Sequence, residues 1–429
     1  MDAIARELNQ ILGDSVAQRT LSRFGKSVYF PRGIVAQSQE AGREASVANA
    51  SAGVALADGH HMSLSFFADA VSSVSIDQMV SYAPTAGDPI LRNLWRNEMV
   101  RKNPLLANTS LPLPVVTAGL THALSIAGDL FVDQGDTVMV PAPCWDNYEL
   151  LFHVRHGANL LPFQLFDEQL RFSLVALSDA LNSVSSGKVI VLLNFPHNPT
   201  GYTPSPEEAA RLCELLVQKA QSGTDVVVLI DDAYFGLFHE NEVFKQSLFS
   251  LLKDAHENLL TVKCDAATKE ALVWGFRIGF ITWNARGMDS RMHQALEQKI
   301  MGVIRSSVSS CSRIGQSLLV EAMQQKSYRA DVDAVGRKIG ERYAIVKQEI
   351  ERRGHVPHIR PYPFNSGYFC TLRCACNAEV LRGHLLEYHG IGTVSLGSDM
   401  IRIAYSAVDA DSVPDLIDKV YRSAEKLWM

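Results

Sequence analysis

Residues that can bind anions and move protons follow several apolar segments of this 429-residue chain. Asp231 lies three residues before Tyr234, and Lys269 lies eight residues before Arg277. A lysine whose pKa is lowered by burial can act as a nucleophile or move a proton. An arginine can hold a carboxylate or phosphate through two parallel hydrogen bonds. This set of residue types indicates a site that does chemistry on an anionic small molecule.

Three further segments carry polar or aromatic groups after an apolar run. Gly119, Leu120 and Thr121 begin a stretch with helical spacing of its apolar residues, and the free N–H groups of a helix start attract an anion. Trp145 lies in the segment PAPCWDNY, and Asn198 lies in HNPTG. We therefore expect an anion-binding helix start, an aromatic ring and an amide at the same site.

The elements that position these residues are predicted to form a parallel sheet. Residues 188–195 and 225–232 are mostly apolar strands, and between them Ser205, Pro206 and Glu208 carry the pattern of a capped helix start. Strand, helix, strand of this kind predicts an α/β fold with helices on both faces of the sheet. Ligands bind outside the carboxyl ends of such strands, where all the residues named above lie.

The chain changes character after residue 289, where long helical stretches precede a mixture of short strands and helices. This change predicts a second, smaller α+β domain. We divide the chain into an N-terminal segment (1–75) that packs with the small domain, a large ligand-binding domain (76–310) and a small C-terminal domain (311–429).

Composition excludes several classes of protein. The chain has 40 basic and 46 acidic residues, a net charge of −6, which argues against a nucleic-acid partner. Its apolar runs are too short for a membrane span, and residues 1–12 do not resemble a secretory signal. Seven cysteines, an odd number, suit the reducing cytoplasm. Cys370, Cys374 and Cys376 are expected to be core residues on one face of a strand, with no metal bound.

The motifs together resemble the class I/II aminotransferases, the fold-type I enzymes that use pyridoxal phosphate (PLP). The resemblance runs from about Tyr82 to Arg402 and rests on HNPTG (197–201), DDAY (231–234), TKEALVWGFRIG (268–279) and SDMIRIAYS (398–406). It implies a mostly parallel, seven-stranded sheet like that of aspartate aminotransferase. It also implies a homodimer with a shared active site, acting on a small-molecule amino acid.

The resemblance further implies a role for each motif residue. Lys269 would be the catalytic residue and would form a Schiff base with PLP. Asp231 would keep the pyridine nitrogen protonated, which the cofactor needs to act as an electron sink. The cofactor-binding set is Tyr82, Gly119, Leu120, Thr121, Trp145, Asn198, Asp231, Tyr234, Thr268, Lys269 and Arg277, with Tyr82 reaching the partner's phosphate. The substrate-binding set is Gly53, Arg305, Asn365 and Arg402.

One motif departs from the family pattern. The usual Ser-x-Ser-Lys is replaced by Ala266-Ala267-Thr268-Lys269, so one hydroxyl donor to the phosphate is missing. Ordinary structural roles also exist for these residue types: a turn residue for Asn198, a core residue for Trp145 and a salt-bridged arginine for Arg402. Arg305 either binds a distal substrate carboxylate or is structural.

Three functions are compatible with these motifs to different degrees. A transaminase, in which Lys269 releases PLP to an amino acid and then moves the Cα proton, is the main prediction. Other PLP reactions share the first steps: β- or γ-elimination or replacement, an ACC-synthase-like reaction of S-adenosylmethionine, or amino-acid oxidation. A transcription regulator with an aminotransferase-like domain is disfavoured, because the residues before the core lack a basic winged-helix pattern.

Overall fold

The computed structural model describes residues 1–13, 15–31, 33–185 and 187–428. Its centre is a seven-stranded sheet in which only the strand Gly279–Asn284 runs against its neighbours. The predicted mostly parallel α/β sheet is therefore confirmed. In spatial order the strands are Val115–Thr117, Gly279–Asn284, Leu259–Ala266, Asp225–Asp231, Lys188–Asn194, Thr137–Ala142 and Asn159–Gln164.

Both faces of this sheet are buried, because its strands are apolar at successive positions. In the strand Lys188–Asn194, Val191 and Leu193 face one hydrophobic cluster, while Ile190 and Leu192 face another. The helix Pro206–Gln221 covers the first face and the helix Leu120–Phe131 covers the second. The two cores hold the carboxyl ends of the strands in fixed positions.

The predicted helix start at Ser205 is confirmed in atomic detail. Ser205 Oγ accepts a hydrogen bond from the Glu208 N–H, and the Glu208 carboxylate accepts one from the Ser205 N–H. This capping box satisfies two N–H groups that would otherwise lack partners. Pro206 at the first helical position has no N–H to satisfy.

The C-terminal part of the chain contains a four-stranded antiparallel sheet, and its strand order is Ile359–Pro361, Phe369–Cys374, Met400–Ala404 and Val394–Leu396. The N-terminal segment contacts this C-terminal part of the chain at two places. Ala48–Asn49 pairs in parallel with Ile391–Gly392, and the Gln37 side chain forms hydrogen bonds with Ser395. The packing of residues 1–75 as a unit with a small domain and the domain boundaries stay predictions. A hairpin of Leu56–Ala57 and His60–His61 lies in the N-terminal segment.

Helices account for most of the remaining described residues. The long helical stretches expected after residue 289 are present, with breaks at 308–312 and 325–327. The α-helices are Ala3–Leu12, Val16–Thr20, Arg23–Ser27, Ile34–Glu44, Ile76–Val80, Pro89–Lys102, Leu120–Phe131, Leu174–Ser183, Pro206–Gln221, Phe249–Leu252, Ala267–Glu270, Ser290–Ser307, Arg313–Gln324, Tyr328–Arg353, Ala378–His389 and Val413–Trp428. Glu149–Val154 forms a π-helix.

The cysteine prediction holds in part. Cys370 and Cys374 are buried in the strand Phe369–Cys374, but Cys376 lies beyond its end, so the three do not share one strand face. Within the described ranges, no helix is both long and apolar enough to cross a membrane.

Candidate active site

A cavity of about 250 Å³ opens at the carboxyl ends of the central strands. It brings together most of the residues that the sequence motifs single out. The predicted residues that line it are Gly53, Leu120, Thr121, Trp145, Asn198, Asp231, Tyr234, Thr268, Lys269, Arg277 and Arg402. Ile34, Tyr148, Asn194, Ala233, Ala266 and Phe369 complete the lining.

Lys269 enters this cavity from the short helix Ala267–Glu270, which directly follows the strand Leu259–Ala266. Its Nζ atom lies 4.7 Å from the centre of the Tyr234 ring. Burial lowers the pKa of Lys269 to about 8, the positive charges of Arg277 and Arg402 act in the same direction, and Asp231 opposes them. A larger fraction of this amine is therefore neutral near pH 7 than of an ordinary lysine, as a nucleophile or proton carrier requires.

Asp231 ends the strand Asp225–Asp231 with its side chain toward the cavity and only 2% of the residue exposed. Its Oδ2 atom accepts a hydrogen bond from Tyr148 Oη at 2.7 Å, and its Oδ1 atom accepts one from the Ala233 N–H at 3.1 Å. Burial raises the pKa of Asp231 to about 6, against the lowering influence of these two donors. These two donors and the charge of Lys269 therefore offset only part of the effect of burial on its pKa.

Asp232 faces away from the cavity, as alternation along a strand predicts. Its carboxylate accepts hydrogen bonds from Ser247 Oγ at 2.6 Å and lies 3.0 Å from Lys263 Nζ. The two adjacent carboxylates therefore have different roles. Asp232 is held in a buried ion pair outside the cavity, and Asp231 points into the cavity.

An anion cradle forms where the helix Leu120–Phe131 begins. Gly119 has a positive φ of 88°, and a Cβ atom there would lie only 2.3 Å from Arg277 Nη2. Arg277 is itself in the left-handed region, with φ 53°, and its Nη1 atom donates to the Trp274 carbonyl at 3.0 Å. The missing side chain at Gly119 thus lets a guanidinium group lie directly beside the helix N-terminus.

Arg402 lies on the strand Met400–Ala404 and is 2% exposed. It donates to Asn198 Oδ1 at 3.0 Å and to the Ser51 carbonyl at 2.9 Å, and its guanidinium lies 4.3 Å from the centre of the Phe369 ring. Its Nε atom is buried and has no hydrogen-bond partner among the residues that the structure describes. Burial lowers the pKa of Arg402 to about 10, which still leaves it charged at neutral pH.

Four predicted residues are not among those that line this cavity: Gly119, whose backbone begins the anion cradle beside it, and three whose side chains lie elsewhere. Tyr82 is 89% exposed. Arg305, also exposed, donates to Ser309 Oγ. Asn365 uses its amide to bind the backbone of Thr203, accepting from its N–H and donating to its carbonyl. A single chain does not bring these three side chains to the site, and their functional roles stay predictions.

Tyr148 and Asn194 are cavity residues that sequence reasoning missed. Asn194 Nδ2 donates to the Asp231 carbonyl, and its Oδ1 accepts from the Asn198 N–H, so it joins two strand ends. Tyr148 lies three residues after Trp145, and residues spaced by three share one side of a helical turn. That spacing was the available signal for Tyr148.

Comparisons with known proteins point to one family. The family model described as "Aminotransferase class I and II" matches residues 47–420. A probable N-acetyl-LL-diaminopimelate aminotransferase of Bacillus subtilis (strain 168) is 27% identical over 255 residues, which is 59% of this chain and 58% of that protein. The uncharacterized HTH-type transcriptional regulator YdcR of Escherichia coli (strain K12) is 30% identical over 260 residues, 60% of this chain and 50% of the relative. The chain thus spans about half the length of the curated relatives it matches.

Solved structures share the fold over nearly the whole chain. An aminotransferase from Anaerococcus prevotii DSM 20548 superposes with a TM-score of 0.83 at 21% identity, covering 95% of this chain and 99% of that one. Aspartate aminotransferase from Thermus thermophilus, solved with maleate, has a TM-score of 0.75 at 21% identity, covering 94% and 100%. At this level of identity the similarity establishes the architecture.

Proposed function

Since the chain belongs to the class I and II aminotransferase family, we propose that it is a PLP-dependent aminotransferase that moves an amino group between an L-amino acid and a 2-oxo acid. The observation that carries this proposal is the meeting of Lys269 and Asp231 in one cavity with two guanidinium groups, those of Arg277 and Arg402. An amine, an acid and two anion-binding groups are the set that PLP and an amino acid together require.

The anion cradle fits the phosphate of PLP. The start of the helix Leu120–Phe131 lies beside the Arg277 guanidinium, and Thr121 and Thr268 line the same cavity. Ala266 also lines the cavity and supplies no hydroxyl. Thr268 and the helix start would therefore hold the phosphate with fewer side-chain hydroxyls than the family pattern offers.

Asp231, Trp145, Tyr234 and Asn198 would hold the ring. When bound, PLP supplies an electron sink for charge that develops at the substrate α-carbon. Asp231 would bind the protonated pyridine nitrogen, because a carboxylate stabilises that positive charge. Tyr234 and Asn198 would donate to the ring oxygen, and Trp145 would pack against the ring face.

Lys269 would attach PLP covalently and move the α-proton. An amine with a pKa of about 8 takes up and releases a proton easily near neutral pH. The α-carboxylate of the substrate would bind Arg402, whose buried Nε atom has no other partner in the part of the chain that the structure describes. Two parallel hydrogen bonds to that carboxylate would direct the α-hydrogen toward Lys269 Nζ. Gly53 leaves room for the substrate, because a Cβ there would lie 3.0 Å from Tyr234 Oη.

We further propose that the protein works as a homodimer in the cytoplasm. Tyr82 is exposed on its own chain, so it is free to reach the phosphate of a partner subunit, and Arg305 is exposed and would face the partner's substrate. Asn365, whose amide is held by the backbone of Thr203, would support the substrate side. All seven cysteines are free thiols, which suits a reducing compartment.

A panel of amino acids added to the PLP-loaded protein tests the activity. Conversion of the cofactor to a stable pyridoxamine form, reversed by a 2-oxo acid, is expected. Release of ammonia, methylthioadenosine or peroxide without that conversion would refute transamination and favour another PLP reaction. Lys269→Ala should keep the cofactor bound non-covalently and abolish turnover, whereas retained turnover would exclude Lys269 as the catalytic residue.

A further inference from the structure

Asp231 has a buried hydrogen-bond donor that the proposed function does not use. Tyr148 Oη lies 2.7 Å from Asp231 Oδ2, and Tyr148 is 1% exposed. The Ala233 N–H occupies the other carboxylate oxygen. Each oxygen of a carboxylate can accept two hydrogen bonds, so one acceptor position on each remains free for a ligand.

Tyr148 is held rigidly in this position. It directly precedes the π-helix Glu149–Val154, and its ring lies edge-on to Trp145, with centroids 5.6 Å apart at 84°. The Phe152 ring lies near it as well, with centroids 6.4 Å apart. Burial raises the pKa of Tyr148 well above 10, so the phenol keeps its proton and always acts as a donor to Asp231.

We propose that Tyr148 is a positioning residue for the aminotransferase reaction: it fixes the Asp231 carboxylate in its ionised form and aims its free acceptor positions at the ring nitrogen of the cofactor. This inference rests on the proposed function. In this proposal Tyr148 acts through Asp231 and does not itself contact the reacting atoms. Without this donor, the buried carboxyl group would retain its own proton instead of stabilising a protonated ring nitrogen.

Several neighbours raise or lower the pKa of Asp231, and their ranking explains why one hydrogen-bond donor matters. Burial raises its pKa, and the hydrogen bond from Tyr148 is the largest influence in the opposite direction, followed by the Ala233 N–H and the charge of Lys269. The neighbouring carboxylate of Asp232 raises the pKa further. The other titratable groups near Asp231 and Tyr148 are Cys144, Tyr234 and Cys264. A hydrogen bond to a charged acceptor generally corresponds to about one to two pKa units, so loss of the Tyr148 donor should raise the pKa of Asp231 further.

Tyr148→Phe tests this role by removing one oxygen atom from the site. The readout is the midpoint of a pH titration: the pH at which half of the visible absorbance of the protonated Lys269–PLP Schiff base is lost as the pH is raised. A positive charge on the ring nitrogen lowers the pKa of the Schiff-base nitrogen in the same conjugated system. Losing that charge should therefore shift the midpoint upward by about half a unit or more, with weaker binding of PLP and a lower kcat.

Tyr202→Phe is a matched control, because Tyr202 Oη also donates to a carboxylate, Glu208 Oε2, at 2.6 Å. Tyr202 is buried but is not among the residues that line the cavity. It should leave the midpoint unchanged. If both tyrosine variants shift the midpoint equally, or if neither does, the positioning role is refuted.

Repeating the Tyr148→Phe substitution in a protein that already carries Asp231→Asn shows whether Tyr148 acts through Asp231. In Asp231→Asn, the ring nitrogen has no carboxylate to stabilise it, so adding Tyr148→Phe should cause no further shift of the midpoint or of PLP affinity. A further shift as large as that in the wild-type background would refute the inference. Failure of the proposed function looks different, since the wild-type protein itself would then stay colourless with PLP or would not transaminate.

Discussion

Gly119 offers the sharpest test of the anion cradle, because its missing side chain is what lets Arg277 approach the helix start. A methyl group at this position would lie 2.3 Å from Arg277 Nη2 and 2.9 Å from Arg277 Cζ. Non-bonded heavy atoms prefer about 3.5–4.0 Å, so in Gly119→Ala the guanidinium must move by roughly 1 Å or more. We expect this shift to remove the Arg277 contact with the phosphate of PLP.

The size of the effect follows from the bond that is lost. A hydrogen bond to a charged group contributes about 1.5–3 kcal/mol, and each 1.4 kcal/mol is a tenfold change in affinity. Gly119→Ala should therefore raise the Kd for PLP about 10- to 100-fold. A titration of the cofactor-free protein with PLP, followed by absorbance, measures this directly.

Gly135→Ala separates this effect from backbone strain. Gly135 has φ 89°, almost the same as Gly119, but a Cβ there would have no neighbour within 4 Å. Both variants should lose stability, by about 1–3 kcal/mol from the positive φ, and only Gly119→Ala should lose PLP affinity. Equal Kd values for the two variants would refute the assignment of the cradle to Arg277 and Gly119.

Three further predictions concern the charged groups of the cavity. The rate at which PLP attaches covalently to the cofactor-free protein should rise with pH and level off above about 8, because only the neutral Lys269 amine reacts; a stopped-flow profile with no inflection between pH 7 and 9 would contradict this. In Asp231→Asn, the cofactor-free protein should be more stable than the wild type above pH 6, by at most about 3 kcal/mol. The folded-state pKa of Asp231 is raised to about 6, so the cost of its burial is fully present above that pH and disappears below about pH 4, and thermal unfolding with the same difference at pH 4 and pH 8 would exclude this cause. Arg402→Lys keeps the charge but loses the two-pronged geometry, so KM for amino acids should rise at least about tenfold with a smaller change in kcat, and an unchanged KM would argue against a carboxylate-binding role.

The parts of the fold with strong sequence periodicity were predictable. Apolar runs such as 188–194 and 225–231, with a capped helix between them, allow few arrangements other than a parallel sheet covered on both faces. The opposite orientations of Asp231 and Asp232, seen in their hydrogen bonds, also follow from alternation along a strand. These features depend on local spacing, which a single sequence contains.

The features that were missed depend on geometry between distant segments. Tyr148 was overlooked because its partner Asp231 lies 83 residues away in the sequence, and its spacing of three from Trp145 indicates a shared side of a turn but no partner. The hydrogen bonds of the Asn365 amide to the backbone of Thr203, 162 residues away, were also not predicted, while its substrate-side role stays a prediction. Contacts of this kind follow from tertiary packing and have no periodic signal.

The most direct test of the central claim is to identify the residue that holds the cofactor. The protein is loaded with PLP, reduced with borohydride, digested and analysed by mass spectrometry. The account predicts a yellow protein whose visible absorbance disappears on reduction and a single phosphopyridoxyl group on Lys269. A label on another lysine, such as the buried Lys263, or a protein that stays colourless with PLP, would contradict it.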